Sequence, residues 1–267
     1  MGGLSSALSS LWATFLDLFD PFCGRVGIFT LFGDGSMLSC GGDGWGDEIG
    51  FGVKITVALA LATLPLGLII GFLVALAAQS EEKSLRLSAG VYTTIFRGLP
   101  ELLTIFIIYY GLQMLIQMVL AAIGFEQRVE INAFLAGMAA LAIVNSAYSS
   151  EVMLSAFRAI PKGQYEAGAA LGLSSTKTML LIVLPQLIRI ALPGLNNLWM
   201  ILLKDTSYIS IIGLSEIMRQ TGVAARNTKE AFFFYSIACG LYLLLAMLSS
   251  FGLSFVDRWA KRSEVGR

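Results

Sequence analysis

The stretch ITVALALATLPLGLIIGFLVALAA, residues 55–78, contains no charged residue and exceeds the roughly 20 apolar residues that a helix needs to cross a bilayer. Three other long stretches also lack charge, and residues 178–203 contain only Arg189. The whole chain of 267 residues is 56% hydrophobic and 13% charged, about half the charge of a soluble domain. These patterns predict an all-α polytopic membrane protein with five transmembrane helices.

We place these helices at about residues 53–79, 89–123, 131–158, 178–203 and 230–257. The second helix carries Arg97 and Glu101 within it. Residues 1–50 form a separate N-terminal segment, residues 51–260 the transmembrane domain, and residues 261–267 a tail.

The basic residues are divided unequally between the two sides of these helices. Eleven Lys and Arg residues flank one side and seven flank the other, and the first fifty residues contain a single Arg. Because cytoplasmic flanks carry the excess of Lys and Arg, we predict a periplasmic N-terminus and a cytoplasmic C-terminus.

Between the third and fourth helices lies QYEAGAALGLSSTKTMLLIVLPQ, residues 164–186. Pro161 suits the start of a helix, and Gly172 suits the left-handed residue that ends one. We therefore predict a short cytoplasmic helix at about residues 163–172, followed by a new helix capped by Ser174 or Ser175. Its small side chains allow close approach by another protein, and Glu166 offers a charge. A helix resting on lipid headgroups is the alternative.

This stretch resembles the EAA loop of ABC-importer permease subunits, in Glu166-Ala167-Gly168, then Gly172, then Ile182-Val183-Leu184-Pro185. Gly168 departs from the pattern, which usually has a second alanine, and glycine weakens a helix by up to about 1 kcal/mol. Further stretches resemble the polar amino acid branch, whose members import histidine, lysine/arginine/ornithine and opines. They are RGLPELL (97–103), AYSSEVMLSAFRAIPKGQ (147–164), ALPGLNNLW (191–199) and LKDTSYISIIGL (203–214). The resemblance covers about residues 44–262.

The resemblance implies a type I ABC-importer permease fold in the bacterial inner membrane. The expected partners are a second permease subunit, related rather than identical, two cytosolic ATPases and a periplasmic amino-acid-binding protein. The chain itself would bind no cofactor, since ATP and Mg belong to the ATPase, and the sequence has no G-x-x-x-x-G-K-[ST] loop. The residues implied to couple the chain to the ATPase are Glu166, Ala167, Gly168, Gly172, Ile182, Leu184 and Pro185.

Polar residues on the third predicted helix mark a candidate substrate path. Asn145, Tyr148 (or Ser149) and Ser155 share a face with Glu151 at three- and four-residue steps. Charge inside a bilayer is costly and usually functional, and a carboxylate suits the ammonium group of an amino acid. The alternative is a structural ion pair of Glu151 with Arg97 or Arg158.

Two further sets of polar residues in the predicted membrane helices each allow two interpretations. Arg97 and Glu101, four residues apart around Gly98 and Pro100, predict an ion pair on a kinked helix, or else Arg97 faces a substrate carboxylate. Asn197 on the fourth helix either lines the pore or serves helix packing.

The N-terminal segment predicts an amphipathic surface helix at residues 11–22 and a flexible periplasmic loop at residues 33–50. If this segment lies outside, Cys23 and Cys40 are in an oxidising compartment, which favours a disulfide between them. The alternative is that Cys23 and Cys40 form no disulfide and serve only as two isolated small residues.

Composition narrows the classes of function. The chain has no histidine, the commonest general base and metal ligand, and its cysteines lack zinc spacing. We therefore predict neither catalytic nor metal-binding residues, and the net charge of zero suggests no nucleic acid partner. A stand-alone secondary transporter or channel is the alternative to an importer subunit, although no inverted repeat is visible.

Overall fold

The computed structural model describes residues 21–23, 27–32, 35–41, 44–124 and 131–262, and within them the secondary structure is helical, without strands. The chain opens with a short 3₁₀ helix, Ile28–Phe32. The α-helices that follow are α1 (Gly46–Gln79), α2 (Lys83–Gly98), α3 (Glu101–Ala122), α4 (Ala133–Ala159), α5 (Lys162–Ala170), α6 (Ser175–Thr178), α7 (Leu184–Asp205), α8 (Ile217–Thr228) and α9 (Ala231–Arg262). A π-helical turn, Met179–Val183, joins α6 to α7, and a 3₁₀ helix, Thr206–Ile212, follows α7.

Five helical stretches in the described part of the chain are long and apolar enough to cross a membrane. They are Gly46–Gln79, Glu101–Ala122, Ala133–Ala159, Ser175–Ile212 and Ala231–Arg258. The predicted all-α membrane fold with five transmembrane helices is therefore confirmed.

The second predicted helix, at residues 89–123, is two helices in the structure. Leu99 is extended, with φ −85° and ψ 147°, and separates α2 from α3. The reason is Pro100, because a proline ring disfavours helical backbone in the residue before it. α2 also begins earlier than predicted, at Lys83, and all residues of its first turns, 83–88, are exposed.

Two other helix bounds differ from the prediction. α1 starts at Gly46, so the predicted boundary at residue 50 falls inside it. Asp47 and Glu48 lie in its first turn, where the positive end of the helix dipole stabilises acidic side chains. α9 continues to Arg262, and residues 263–267 lie outside the described residues.

The backbone packs into two compact units. One comprises the described residues up to Val57 together with Ser215–Leu241, and the other comprises Ala58–Leu214 together with the described residues from Tyr242 onward.

In the larger unit, α4 is the most buried of the candidate spans. Small side chains let neighbouring helices approach it, as is usual between helices in membranes. Its buried hydroxyls are satisfied within the helix: Ser146 donates to the Ile143 carbonyl at 2.7 Å and Ser150 to the Ala147 carbonyl at 2.8 Å. Near the C-terminal end of α4, an apolar cluster joins α1, α4 and α7, and includes Ala75, Phe157, Ile160, Val183, Leu187 and Ala191.

In the smaller unit, the described residues of the N-terminal segment contact one another and the start of α1. Cys23 and Cys40 form a disulfide. The ring of Phe22 lies 6.0 Å from that of Phe29, and Phe22 also fills the space beside Gly50, where an added Cβ would lie 2.7 Å from the Phe22 Cβ. The disulfide and the Phe22–Phe29 contact therefore link residues within the segment, and the contact of Phe22 with Gly50 links it to α1.

The predicted flexible loop at residues 33–50 differs from the structure where residues are described. Trp45 donates its N–H to the Met37 carbonyl at 3.0 Å, and Gly46 donates to the Ser39 carbonyl at 3.1 Å. These bonds join residues 37–39 to the residues that lead into α1. Of the predicted amphipathic helix, residues 11–20 lie outside the described residues, and Pro21 and Phe22 lie in a turn.

Candidate coupling helix and polar membrane site

α5 lies in the sequence between the third and fourth candidate membrane spans, and occupies Lys162–Ala170 where we predicted residues 163–172. It begins directly after Pro161, whose backbone is extended with φ −61° and ψ 139°. A proline here loses no hydrogen bond, because the first N–H groups of a helix have no intrahelical partner. Tyr165 packs against the apolar cluster around Phe157 and anchors one side of α5.

The C-terminal end of α5 is a Schellman motif. Gly172 has a φ of +71°. The N–H of Leu173 donates to the Gly168 carbonyl at 3.0 Å, and the N–H of Gly172 donates to the Ala169 carbonyl at 2.9 Å. This pairing satisfies the last carbonyls of the helix and requires a left-handed residue at position 172, which glycine adopts without a steric penalty. Ser174 then caps α6, as its side chain accepts from the Lys177 N–H at 3.5 Å.

One face of α5 is exposed and carries the small and acidic residues of the EAA-like stretch. Glu166, Ala167 and Ala170 are exposed, and Leu171 at the helix end is 77% exposed. Gly168, in contrast, is buried against Thr178 of α6. The exposed face combines a carboxylate, which can pair with a cationic group of a protein partner, with a large apolar side chain and with alanines that permit close approach.

The remaining EAA-like residues lie where α6 passes into α7. Met179–Val183 form a π-helical turn, which Leu184 closes by donating its N–H to the Met179 carbonyl. Pro185 follows in the first turn of α7 and has no N–H to donate. Single π-helical turns are frequent at functional sites, so this joint is a candidate for movement.

The side chain of Gln186 spans this joint. Its Nε2 donates to the Ile182 carbonyl at 2.9 Å and to Oε1 of Gln164 on α5 at 3.3 Å. Gln186 therefore links the π-helical turn to α5. No role was predicted for Gln186, and its position directly after Leu184-Pro185 is the one sequence feature that marks it.

α2 and α4 bring three candidate substrate-path residues together. Arg97 Nη1 lies 3.3 Å from Glu151 Oε1, with side-chain exposures of 43% and 37%. The Arg97 guanidinium also lies 5.9 Å from the centre of the Tyr148 ring. Both charged side chains are half-exposed within the chain, so each is accessible to a bound molecule or a neighbouring protein. Together the three side chains present one cation, one anion and one aromatic ring.

The predicted Arg97–Glu101 pair is not what the structure shows. Among the described residues, Arg97 pairs with Glu151. The four-residue spacing predicts an ion pair only within one continuous helix. The break at Leu99 and Pro100 places Arg97 at the end of α2 and Glu101 at the start of α3.

The two asparagines lie elsewhere. Asn145 is buried and packs against α1, where a Cβ on Gly67 would lie 2.6 Å from its Oδ1. Asn197 is exposed on α7, while its neighbour Asn196 donates to Asp257 Oδ1 at 2.9 Å. Of the described residues, no group of three or more acidic or cysteine side chains could hold a metal ion.

Comparison with known proteins agrees with this arrangement of helices. The family model for the binding-protein-dependent transport system inner membrane component matches residues 63–262. The chain belongs to this family, and it is a membrane-spanning permease subunit of an ABC importer. The predicted resemblance is confirmed, and the alternative of a stand-alone transporter or channel is disfavoured.

Individual proteins are similar to this chain over most of its length. The nopaline transport system permease protein NocQ of Agrobacterium fabrum is 40% identical over 230 residues, which are 86% of this chain and 98% of that protein. The arginine ABC transporter permease protein ArtQ of Escherichia coli K12 is 36% identical over 222 residues, covering 79% and 93%. A crystal structure of an amino acid ABC transporter with histidines has a TM-score of 0.66 and 31% identity, covering 79% of this chain and 94% of that one.

Proposed function

We propose that the chain is the translocation subunit of an importer for polar or basic amino acids, opines included, and that a separate ATPase subunit drives it. The names of the relatives support this range of substrates, because they include a nopaline permease and an arginine permease. Nopaline and arginine both carry carboxylate and guanidinium groups, so a site with paired opposite charges suits either.

The observation that carries the proposal is the exposed face of α5. Its Schellman end holds Glu166, Ala167 and Leu171 outward, between two membrane spans. In our proposal this face docks on the ATPase, and the π-helical turn with Ile182, Leu184 and Pro185 passes the movement to α7. Gly172 serves by ending α5 at the right place.

We assign the substrate to a site formed by Arg97, Tyr148 and Glu151. A carboxylate attracts the ammonium or guanidinium group of a basic amino acid, and a guanidinium binds its carboxylate in a fork geometry. Glu101, Asn145 and Asn197 stay proposed members of the path.

The assembly we propose contains a second, related permease subunit, two ATPases that hold ATP and Mg, and a periplasmic amino-acid-binding protein. Its location is the bacterial inner membrane, with the N-terminus periplasmic and the C-terminus cytoplasmic, as the distribution of Lys and Arg favours.

The test is Glu166→Lys in a preparation that contains the co-encoded ATPase and partner subunit. We expect the variant to insert at normal abundance, to retain little ATPase on purification, and to lose ATP-driven uptake of arginine in proteoliposomes, because a reversed charge repels a cationic partner. Glu81→Lys, a charge reversal at an exposed residue before α2, is the matched control. Normal ATPase retention by Glu166→Lys would refute the docking role of α5.

A further inference from the structure

Gly168 and Thr178 approach each other closely where α5 packs on α6. A Cβ placed on Gly168 would lie 2.6 Å from both Cγ2 and Oγ1 of Thr178, and 3.2 Å from its Cβ. Both residues are buried, and Thr178 is only 5% exposed. The structure therefore leaves no room for a Cβ at position 168.

A change of rotamer at Thr178 does not create that room. A threonine Cβ carries two γ atoms in three staggered positions, so every rotamer leaves at least one of the two obstructing positions filled. The backbone of Thr178 is held as well, because its N–H donates to the Ser174 carbonyl at 2.9 Å. An added methyl group on Gly168 would thus have to be accommodated by a movement of α5 itself.

We propose that Gly168 and Thr178 are a size-matched pair that sets the position of α5, so that Gly168 is a positioning residue for ATPase docking in this chain. The proposal rests on the docking role of α5 described above. Its consequence is that a single added methyl group at position 168 should impair the protein. Helix propensity alone predicts the opposite, since alanine is the better helix former.

The test compares Gly168→Ala with two double variants. We expect Gly168→Ala to weaken ATPase retention by roughly five- to a hundredfold, the range that overpacking usually produces. Adding Thr178→Ser should restore retention, because a serine has one γ atom and can turn it to the free position. Adding Thr178→Val should not, because valine keeps two γ atoms while losing the hydroxyl.

Retention is measured on the immobilised permease with the co-encoded ATPase, at permease abundance matched by immunoblot. Thr178→Ser and Thr178→Val alone should retain the ATPase normally, because Gly168 leaves them space. Wild-type retention by Gly168→Ala, or equal rescue by serine and valine, would overturn the size-matched pair. Glu166→Lys is run in parallel: if it weakens retention while Gly168→Ala does not, only the present inference fails, and if neither does, the docking role fails too.

Discussion

At the scale of single residues, the Arg97–Glu151 pair is compatible both with a substrate path and with the structural ion pair that was the alternative. Both side chains are more than one third exposed within the chain. Ion pairs with this exposure contribute about 0–1 kcal/mol to stability in water. An ion pair that contributes so little to stability is a weak reason for placing two charges next to a membrane. A site that binds a charged substrate is a stronger reason, because charged residues in membrane proteins are usually functional.

We expect Glu151→Gln to lower arginine uptake by about tenfold while changing the free energy of unfolding by no more than about 1 kcal/mol. The amide keeps the size of the side chain and removes the negative charge that would attract the substrate cation. Uptake in proteoliposomes and thermal unfolding of the purified protein measure the two effects. ATPase retention is the control and should stay normal.

Arg97→Gln and the double variant complete a cycle for this pair. If the pair binds the substrate, each single variant loses uptake at normal abundance. Loss of abundance in both single variants, recovered in the double variant, would instead make the pair structural.

At the scale of the secondary structure elements, the junctions around α5 combine local backbone requirements with contacts between helices. The Schellman end of α5 depends on one glycine with φ +71°. The π-helical turn depends on Pro185, which supplies no N–H, and on Gln186, which bridges to Gln164. The Schellman motif therefore defines where α5 ends, and the bridge from Gln186 to Gln164 helps to define its orientation.

Replacing Gly172 by valine should disturb the end of α5, because a β-branched residue in the left-handed region is strained by about 1–2 kcal/mol. We expect faster amide exchange in α5 and weaker ATPase retention, with normal insertion. Gly172→Asn is the matched control, since asparagine tolerates left-handed backbone better than other residues with side chains. Equal behaviour of valine and asparagine would show that position 172 does not require left-handed backbone.

At the scale of the whole molecule, the chain combines a permease core with an N-terminal segment that the family match, residues 63–262, does not include. In the structure, Cys23 and Cys40 join this segment into a closed loop with a sequence separation of 17. A crosslink over such a loop can stabilise a protein by about 3 kcal/mol through the unfolded state. The periplasm, where we place this segment, supports disulfides.

Thiol labelling tests the disulfide and the orientation together. In a Cys239→Ala variant denatured without reductant, we expect no labelled thiol, and after reduction we expect two. Cys239 is removed because it is a free, exposed cysteine on α9. Full labelling without reductant would reject the crosslink and weaken the periplasmic placement of the N-terminus.

Much of this architecture was predictable because its causes are local. Long uncharged runs such as residues 55–78 have to be helical in a bilayer, where a helix satisfies its backbone hydrogen bonds internally. Gly172 was predictable for the same kind of reason, since a single left-handed residue ends a helix. The break before Pro100 was missed because proline is tolerated within many membrane helices, and only the surrounding packing decides between a kink and a break.

The membrane class, the family and the place of α5 follow from the amino-acid sequence, because hydrophobic length, turn residues and motif spacing are properties of neighbouring residues. The packing of the helices was needed to show that Arg97 pairs with Glu151, that Asn145 contacts Gly67, and that Thr178 fills the space beside Gly168. Those pairings depend on how each helix is rotated and where it crosses its neighbour. Packing of whole side-chain surfaces sets that rotation, and no local pattern encodes it.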